Sequence, residues 1–392
     1  MHASLVLTLP LLAAAGPQDP APEPVRDLAP LLAEILGDFD VPGLGAVVTT
    51  SQGTVALGVA GVRERGSGTP IQPDDRFHIG SCTKSMTATL VALWIEAGEL
   101  DWDTPLSDAL PELAREGDQP WHGATVMQLL SHTAGMPQSL QGYGTTGLAF
   151  LSRTKPMPEL RRFALAAILE KPPLSAPGTE YLYSNFGYVA AGAIVERLGE
   201  ASWEEQLRAR LFEPLGMESA GFGPPDAPYF VDAEDEGDGD AAPPQPRAHR
   251  SGGKPAPAFD NAPALGPAGT VHCSLADWAK YARLHLAGAR GTEGLLLTPE
   301  TFAVLHTAAP ATDSTYGGGW VLTRRGWSQG KVIMHDGSNT AWFAYAWLAP
   351  EEDFAVLVAC NQGGPLGQQA ADAAAGRLIA GIAAERQAGE QR

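Results

Sequence analysis

Strand-like runs stand at both ends of this chain of 392 residues and helical patterns fill its middle, an order that few architectures satisfy. Residues 45–50 and 54–60 are short runs rich in Val and Ala, joined at Ser51-Gln52-Gly53 in the manner of a hairpin. Residues 318–323, 331–334, 342–348 and 354–359 read as strands again near the other end. Between them apolar residues recur at helical intervals over 126–135, 157–169, 186–198, 203–212, 275–287 and 299–306. Two more amphipathic stretches, 25–38 and 370–384, flank the whole. The expected fold class is therefore α/β, of the α+β kind. One antiparallel sheet is built from both chain ends, covered by terminal helices, and carries a mostly helical inserted subdomain. Residues 25–80 and 264–392 form the sheet subdomain in this reading, and 81–225 the helical one. Residues 226–263, rich in Pro, Gly, Ala and Asp without apolar periodicity, form a long acidic loop.

Acidic residues outnumber basic ones by 45 to 26, for a formal charge of −19, and no basic cluster with interleaved aromatics occurs. Phosphate backbones are repelled by such a chain, so nucleic acid is not an expected partner. The acidic run from Asp232 to Asp240 lacks the ligand spacing of a calcium loop and reads as a solvated segment. Three cysteines, Cys82, Cys273 and Cys360, are too few for a disulfide framework and are expected as buried thiols. Residues 5–15 are an apolar run too short to span a bilayer, followed by small residues at 13–16. A signal peptide over 1–15 and a flexible leader over 16–24 are expected, although the n-region carries only His2 and the terminal amine. The mature protein is then exported, periplasmic or secreted, without stable membrane insertion. Its oligomeric state is open.

Three short motifs carry chemistry. Ser81-Cys82-Thr83-Lys84 lies at the mouth of a helical pattern whose stripe is Met86, Leu90, Leu93, Trp94 and Ala97, with Gly98 at its stop. Residues i and i+3 share a helix face, so the Ser81 hydroxyl and the Lys84 amine can meet there. A lysine whose pKa falls through burial can take the serine proton. Cys82 points about 100° away from Ser81, so only one of the two can face Lys84. Next, Tyr183-Ser184-Asn185 precedes a helix, and in extended backbone its first and third side chains enter one cleft. A tyrosine beside a cation can act as a base through its phenolate, and an asparagine amide can orient an acyl group. A buried tyrosine followed by a capping asparagine satisfies the same spacing. Finally, His335-Asp336-Gly337-Ser338 lies on a strand whose glycine lets a ligand approach the backbone. The Ser338 and Ser81 N–H groups can then form an oxyanion hole.

These motifs, in this order, resemble the serine β-lactamase and penicillin-binding superfamily, nearest its class C β-lactamase, DD-peptidase and esterase branch. The flanks agree: Leu129-Leu130-Ser131-His132-Thr133-Ala134-Gly135, Tyr183-Ser184-Asn185-Phe186-Gly187-Tyr188, Phe212-Glu213-Pro214-Leu215-Gly216-Met217, Pro267-Ala268-Gly269-Thr270, and Leu100-Asp101-Trp102-Asp103-Thr104-Pro105-Leu106. The resemblance runs from about Ile35 to the last helix. It implies a β-lactamase/transpeptidase-like fold and an acyl-enzyme on Ser81, with Lys84 and Tyr183 as bases. It further implies that Asn185, His335, Gly337 and Ser338 bind the substrate and that the Ser81 and Ser338 amides hold the oxyanion. No cofactor and no metal are implied, and the spacing of His272, Cys273 and His285 matches no zinc pattern. β-Lactamases usually carry Lys-Thr-Gly where this chain has His335-Asp336-Gly337. An anion at Asp336 facing the pocket disfavours carboxylate-bearing substrates. A small-molecule or peptide ester or amide is thus the expected substrate. A β-lactam or D-Ala-D-Ala peptide is the alternative, and a penicillin-binding sensor without turnover a second one.

Overall fold

The computed structural model describes residues 24–113, 121–141, 155–229, 244–309 and 312–390. The expected signal peptide, nearly all of the leader and the acidic run at 232–240 lie outside the described residues. In chain order the main elements are β1 (Arg26–Asp27), α1 (Ala29–Asp38), β2 (Gly43–Thr49), β3 (Thr54–Gly61), β4 (Arg76–His78) and α2 (Thr83–Glu96). There follow α3 (Met157–Leu169), α4 (Asn185–Gly199), β5 (Gly221–Phe222), β6 (Val271–Ser274) and α5 (Leu275–Ala289). The chain closes with β7 (Val321–Arg324), β8 (Lys331–Ser338), β9 (Phe343–Ala349), β10 (Phe354–Cys360) and α6 (Gly364–Glu390).

The main sheet has the order β1-β3-β2-β10-β9-β8-β7, so the N-terminal hairpin and the C-terminal strands meet where β2 pairs with β10. Every pairing is antiparallel except that of the two-residue β1 with β3. Both faces are covered, which is why β2, β9 and β10 read as unbroken apolar runs. Leu44, Ala46, Val48, Tyr345, Trp347 and Val356 pack with α1 and with Ala371, Ala374 and Leu378 of α6. On the opposite face Val47, Ala346, Leu348 and Leu357 pack with α2 and α5. Among the described residues no helix is long and apolar enough to cross a membrane.

Several boundaries differ from the sequence expectation, each for a tertiary reason. Residues 25–28 are not helical, because Arg26 and Asp27 add to the edge of β3 and the Asp27 carboxylate then accepts from the Ala29 amide. The helix expected over 126–135 stops at Leu130, since His132 takes a left-handed φ of 61°. A second sheet, β4-β6-β5, holds short strands that carry no periodicity of their own. The nucleophile helix was expected to bury one stripe, yet α2 is buried around most of its circumference. It runs between the sheet and the helical region, so its polar side chains bond internally: Thr87 Oγ1 donates to Pro267 O at 2.7 Å and Ser85 Oγ to Cys82 O at 2.8 Å.

Two features of this frame position the site. β7 pairs only with Lys331–Met334, so among the described residues the edge of β8 from His335 onward has no strand neighbour on that side and receives the Gly80–Cys82 turn instead. The backbones approach too closely for side chains: a Cβ on Gly337 would sit 2.0 Å from Ile79 O and 2.8 Å from Ser81 N. In the helical region, buried Arg161 of α3 pairs with Glu196 of α4 and with Glu204, and its Nε donates to Ala264 O at 3.0 Å. That cluster ties α3 and α4 to the segment before residue 268. Replacing Arg161 by Met strands two buried carboxylates, so a loss of about 3–5 kcal/mol is expected in urea unfolding. A loss below about 1 kcal/mol would show that the cluster does not hold this layer together.

Candidate active site

The chain passes from β4 through a single 3-10 turn, Gly80–Cys82, into α2. Gly80 adopts φ of +52°, and a Cβ there would lie 2.4 Å from Ser338 N, so glycine is required by conformation and by space. The turn leaves Ser81 half-buried at the start of the helix and turns Cys82 inward, where its thiol meets the His335 carbonyl at 3.5 Å. Burial pushes the Cys82 thiol well above its ordinary range. Ser81, not Cys82, therefore faces Lys84.

Lys84 is fully enclosed. Its Nζ lies 3.0 Å from Ser81 Oγ, 2.8 Å from Asn185 Oδ1 and 2.7 Å from Ala268 O. Desolvation lowers its pKa to about 7, against smaller raising effects of Cys82 and Asp336. The Tyr183 ring stands 5.0 Å from Nζ, and its hydroxyl lies beside Ser81. Burial pushes the Tyr183 phenol upward, outweighing the lowering effect of nearby Ser81, so the phenol keeps its proton near neutral pH. The sequence reading had Lys84 losing its proton through burial but Tyr183 working as a phenolate beside a cation. Both groups are driven toward their neutral forms by the same enclosure.

Local devices place these side chains. Ser184 caps α4, its hydroxyl accepting from Phe186 N and donating to Pro137 O. Its amide donates to Nδ1 of His132 at 3.0 Å, and the His132 ring packs 4.3 Å from that of Tyr183 and 4.5 Å from that of Tyr316. Asn185 thus begins α4 with its amide aimed at Lys84 rather than serving as a cap.

His335 is buried and comes near Lys84, which contributes to lowering its pKa; desolvation is the larger cause, and together they bring it to about 3. Its Nδ1 faces the Asp336 carbonyl, which can only accept, so Nδ1 carries the single proton and Nε2 accepts from the Tyr316 hydroxyl at 2.8 Å. Where β-lactamases usually carry a lysine, the structure thus holds a neutral histidine. Asp336 is exposed, on the sheet face opposite His335, and burial of its surroundings still raises its carboxyl pKa while Lys84 lowers it. Gly337 lies against the Ser81 turn, and Ser338 follows with its Oγ donating to Trp342 O at 2.7 Å.

All seven residues singled out in the sequence, Ser81, Lys84, Tyr183, Asn185, His335, Gly337 and Ser338, are thus drawn to one place. The sequence reading missed the Ala268 carbonyl, Tyr316, and the His132 platform as a neighbour of Tyr183. The Pro267-Ala268-Gly269-Thr270 flank was the one signal available for the first; nothing local marked Tyr316.

A family model described as Beta-lactamase matches residues 28–381. Penicillin-binding protein 4 of Amycolatopsis lactamdurans is 30% identical over 343 residues, spanning 83% of this chain and 82% of the relative. Esterase EstB of Burkholderia gladioli is 31% identical over 215 residues, 50% of this chain and 53% of the esterase. The solved structure of SurE superposes with a TM-score of 0.70 at 28% identity, covering 90% of this chain and 74% of that one. With that fold, these motifs and this coverage, the chain belongs to the beta-lactamase family and is a serine hydrolase of the β-lactamase-related kind.

Proposed function

We propose that the chain works through an acyl-enzyme on Ser81, cleaving an ester or amide of a small molecule or peptide. The observation that carries this reading is the donor count at Lys84. A neutral amine has two N–H groups and one lone pair. Asn185 Oδ1 and Ala268 O can each only accept, and together they take both N–H groups. The lone pair is left for the Ser81 hydroxyl at 3.0 Å, which then donates to Nζ. Lys84 is the general base for attack, and a pKa of about 7 suits that task.

Tyr183, still protonated and beside Ser81, relays the proton to the leaving group rather than starting as a base. The serine oxygen attacks the acyl carbon, its proton passes to Lys84, and the leaving group departs with a proton supplied through Tyr183. Water then attacks the acyl-enzyme by the reverse relay. The Ser81 and Ser338 amides hold the oxyanion, Asn185 orients the acyl side chain, and His335 fixes the edge of β8 through Tyr316.

Substrate charge follows from what surrounds the cleft. His335 is neutral, and Asp336 is exposed on the sheet face opposite it. A substrate carboxylate finds no charge on His335 to pair with, so an uncharged acyl compound is preferred. The likeness to a penicillin-binding protein supports a second reading, a β-lactam or D-Ala-D-Ala peptide as substrate. A sensor without turnover is disfavoured because both proton-transfer groups are in place. Export is proposed from the apolar run at 5–15 and the same likeness.

A fluorophosphonate is expected to label Ser81 stoichiometrically, with labelling lost in Ser81→Ala, and a neutral p-nitrophenyl ester to turn over faster than nitrocefin. Labelling elsewhere contradicts the mechanism; faster nitrocefin hydrolysis contradicts the substrate assignment. The acylation rate is expected to climb with pH through about 7, as Lys84 loses its proton, and to level off above. Because Asp336 raises the Lys84 pKa, Asp336→Asn should move that limb to lower pH. A limb that stays put or moves upward removes Lys84 as the group being read.

A further inference from the structure

Asp260, in the irregular segment that precedes β6, is fully buried, an unusual place for a carboxylate. Its Oδ1 gathers three nitrogens. Asn261 N donates to it at 2.6 Å, Asn339 Nδ2 donates at 2.9 Å, and His78 Nε2 lies 2.8 Å away. Each leads to a different wall of the active site. His78 Nδ1 accepts the Gly80 amide at 3.0 Å, and its buried Nε2, which makes no hydrogen bond, faces Asp260 in close contact. Asn339 Oδ1 accepts from Ala341 N and Trp342 N, closing the turn that starts at Ser338 and includes Thr340 at φ +75°. Asn261 Nδ2 donates to Gly269 O at 2.7 Å, next to the Ala268 carbonyl that Lys84 bonds.

We propose that Asp260 is a positioning residue that sets the spacing of the oxyanion site, one oxygen holding the Gly80–Ser81 turn through His78 and the Ser338–Thr340 turn through Asn339. The inference rests on the reading of the Ser81 and Ser338 amides as the oxyanion donors. The two turns already touch, a Cβ on Gly80 falling 2.4 Å from Ser338 N, so nothing between them would absorb a shift. Neither backbone is pinned by a ladder bond on the facing side, because β7 stops at the partner of Met334. A side-chain strut of this kind supplies what the sheet does not. Asp260 itself touches no reacting atom; it acts through two intermediaries.

The test compares Asp260→Ala, Asp260→Asn, His78→Asn and Asn339→Ala for four quantities. These are the extent of fluorophosphonate labelling at saturation, Tm, kcat and KM on a p-nitrophenyl ester, and the Ki of phenylboronic acid, whose tetrahedral adduct places an oxygen in the oxyanion site. Asp260→Ala is expected to lower kcat per labelled site about 10²-fold with KM within about threefold, and to weaken the boronate in parallel. Asp260→Asn, which keeps an oxygen for both donors, should recover to within about tenfold of wild type. Asparagine at 78 still accepts the amide two residues on as an Asx turn but is too short to reach Asp260. His78→Asn should therefore lose activity as Asp260→Ala does, and the double variant should lose no more than either. Should Asp260→Ala not fold, His78→Asn and Asn339→Ala pose the same question separately. A lowered Tm with unchanged kcat per labelled site, or multiplying losses in the double variant, overturns the proposal. Wild type that fails to label at Ser81 overturns the acyl-enzyme reading beneath it, a result readable apart from the variants.

Discussion

Enclosing one amine imposes most of the order in this structure. Lys84 sits on a helix buried around most of its circumference, between the sheet and the helical region, and desolvation lowers its pKa from the ordinary 10.5 to about 7. That fall corresponds to about 5 kcal/mol of preference for the neutral form. The folded pKa lies below the unfolded one, so stability is lost as pH falls from about 10 to about 7, and the cost is complete below that. Only a well-packed surround sustains such a group. The Asn185 amide and the Ala268 carbonyl compensate it with two acceptors, and each comes from an element anchored elsewhere: α4 by its Ser184 cap, the 266–269 turn by Thr87 and Arg161.

The sheet contributes an edge rather than a face. Because β7 is short, the second half of β8 offers the edge away from β9 to the Gly80–Cys82 turn, and two glycines let the chains meet at distances no Cβ tolerates. The topology explains why both chain ends are needed. The turn before Ser81 follows the N-terminal strands, the facing edge follows the C-terminal ones, and they share a sheet only through the β2–β10 pairing. The covering helices α1 and α6 stabilise that junction from the far side, leaving the other face to the site.

How much of this was legible follows from how far apart the contacting residues lie in the chain. Ser81 with Lys84, Tyr183 with Asn185 and His335 with Gly337 are fixed by the period of a helix or an extended segment, so spacing alone put each pair on one side. The strands at both ends were visible because β2, β9 and β10 are apolar throughout. Residues 25–28 misled because an amphipathic run also fits an edge strand, and His132 ended its helix early through a backbone angle no pattern announces. Asp260, His78 and Asn339 come from three remote segments and share only a buried oxygen. Tyr316, which donates to His335 Nε2, likewise joins the site through tertiary packing alone. One protonation state was also hidden: the fall in the lysine pKa was expected from burial, but the same enclosure keeps the Tyr183 phenol protonated.

The family frame accommodates many acyl substrates, and in this chain the charges at the cleft narrow the choice. Neither a neutral His335 nor a Lys84 that holds its proton weakly offers a fixed positive charge to a substrate anion, on the reading proposed above. Everything in that argument depends on the state of Lys84. NMR titration of lysine side-chain carbons, with Lys84→Met to assign the signal, reads that state without any substrate. A Lys84 midpoint near 7 in the folded protein is the predicted result, and a midpoint near the ordinary 10.5 would contradict the mechanism at its base.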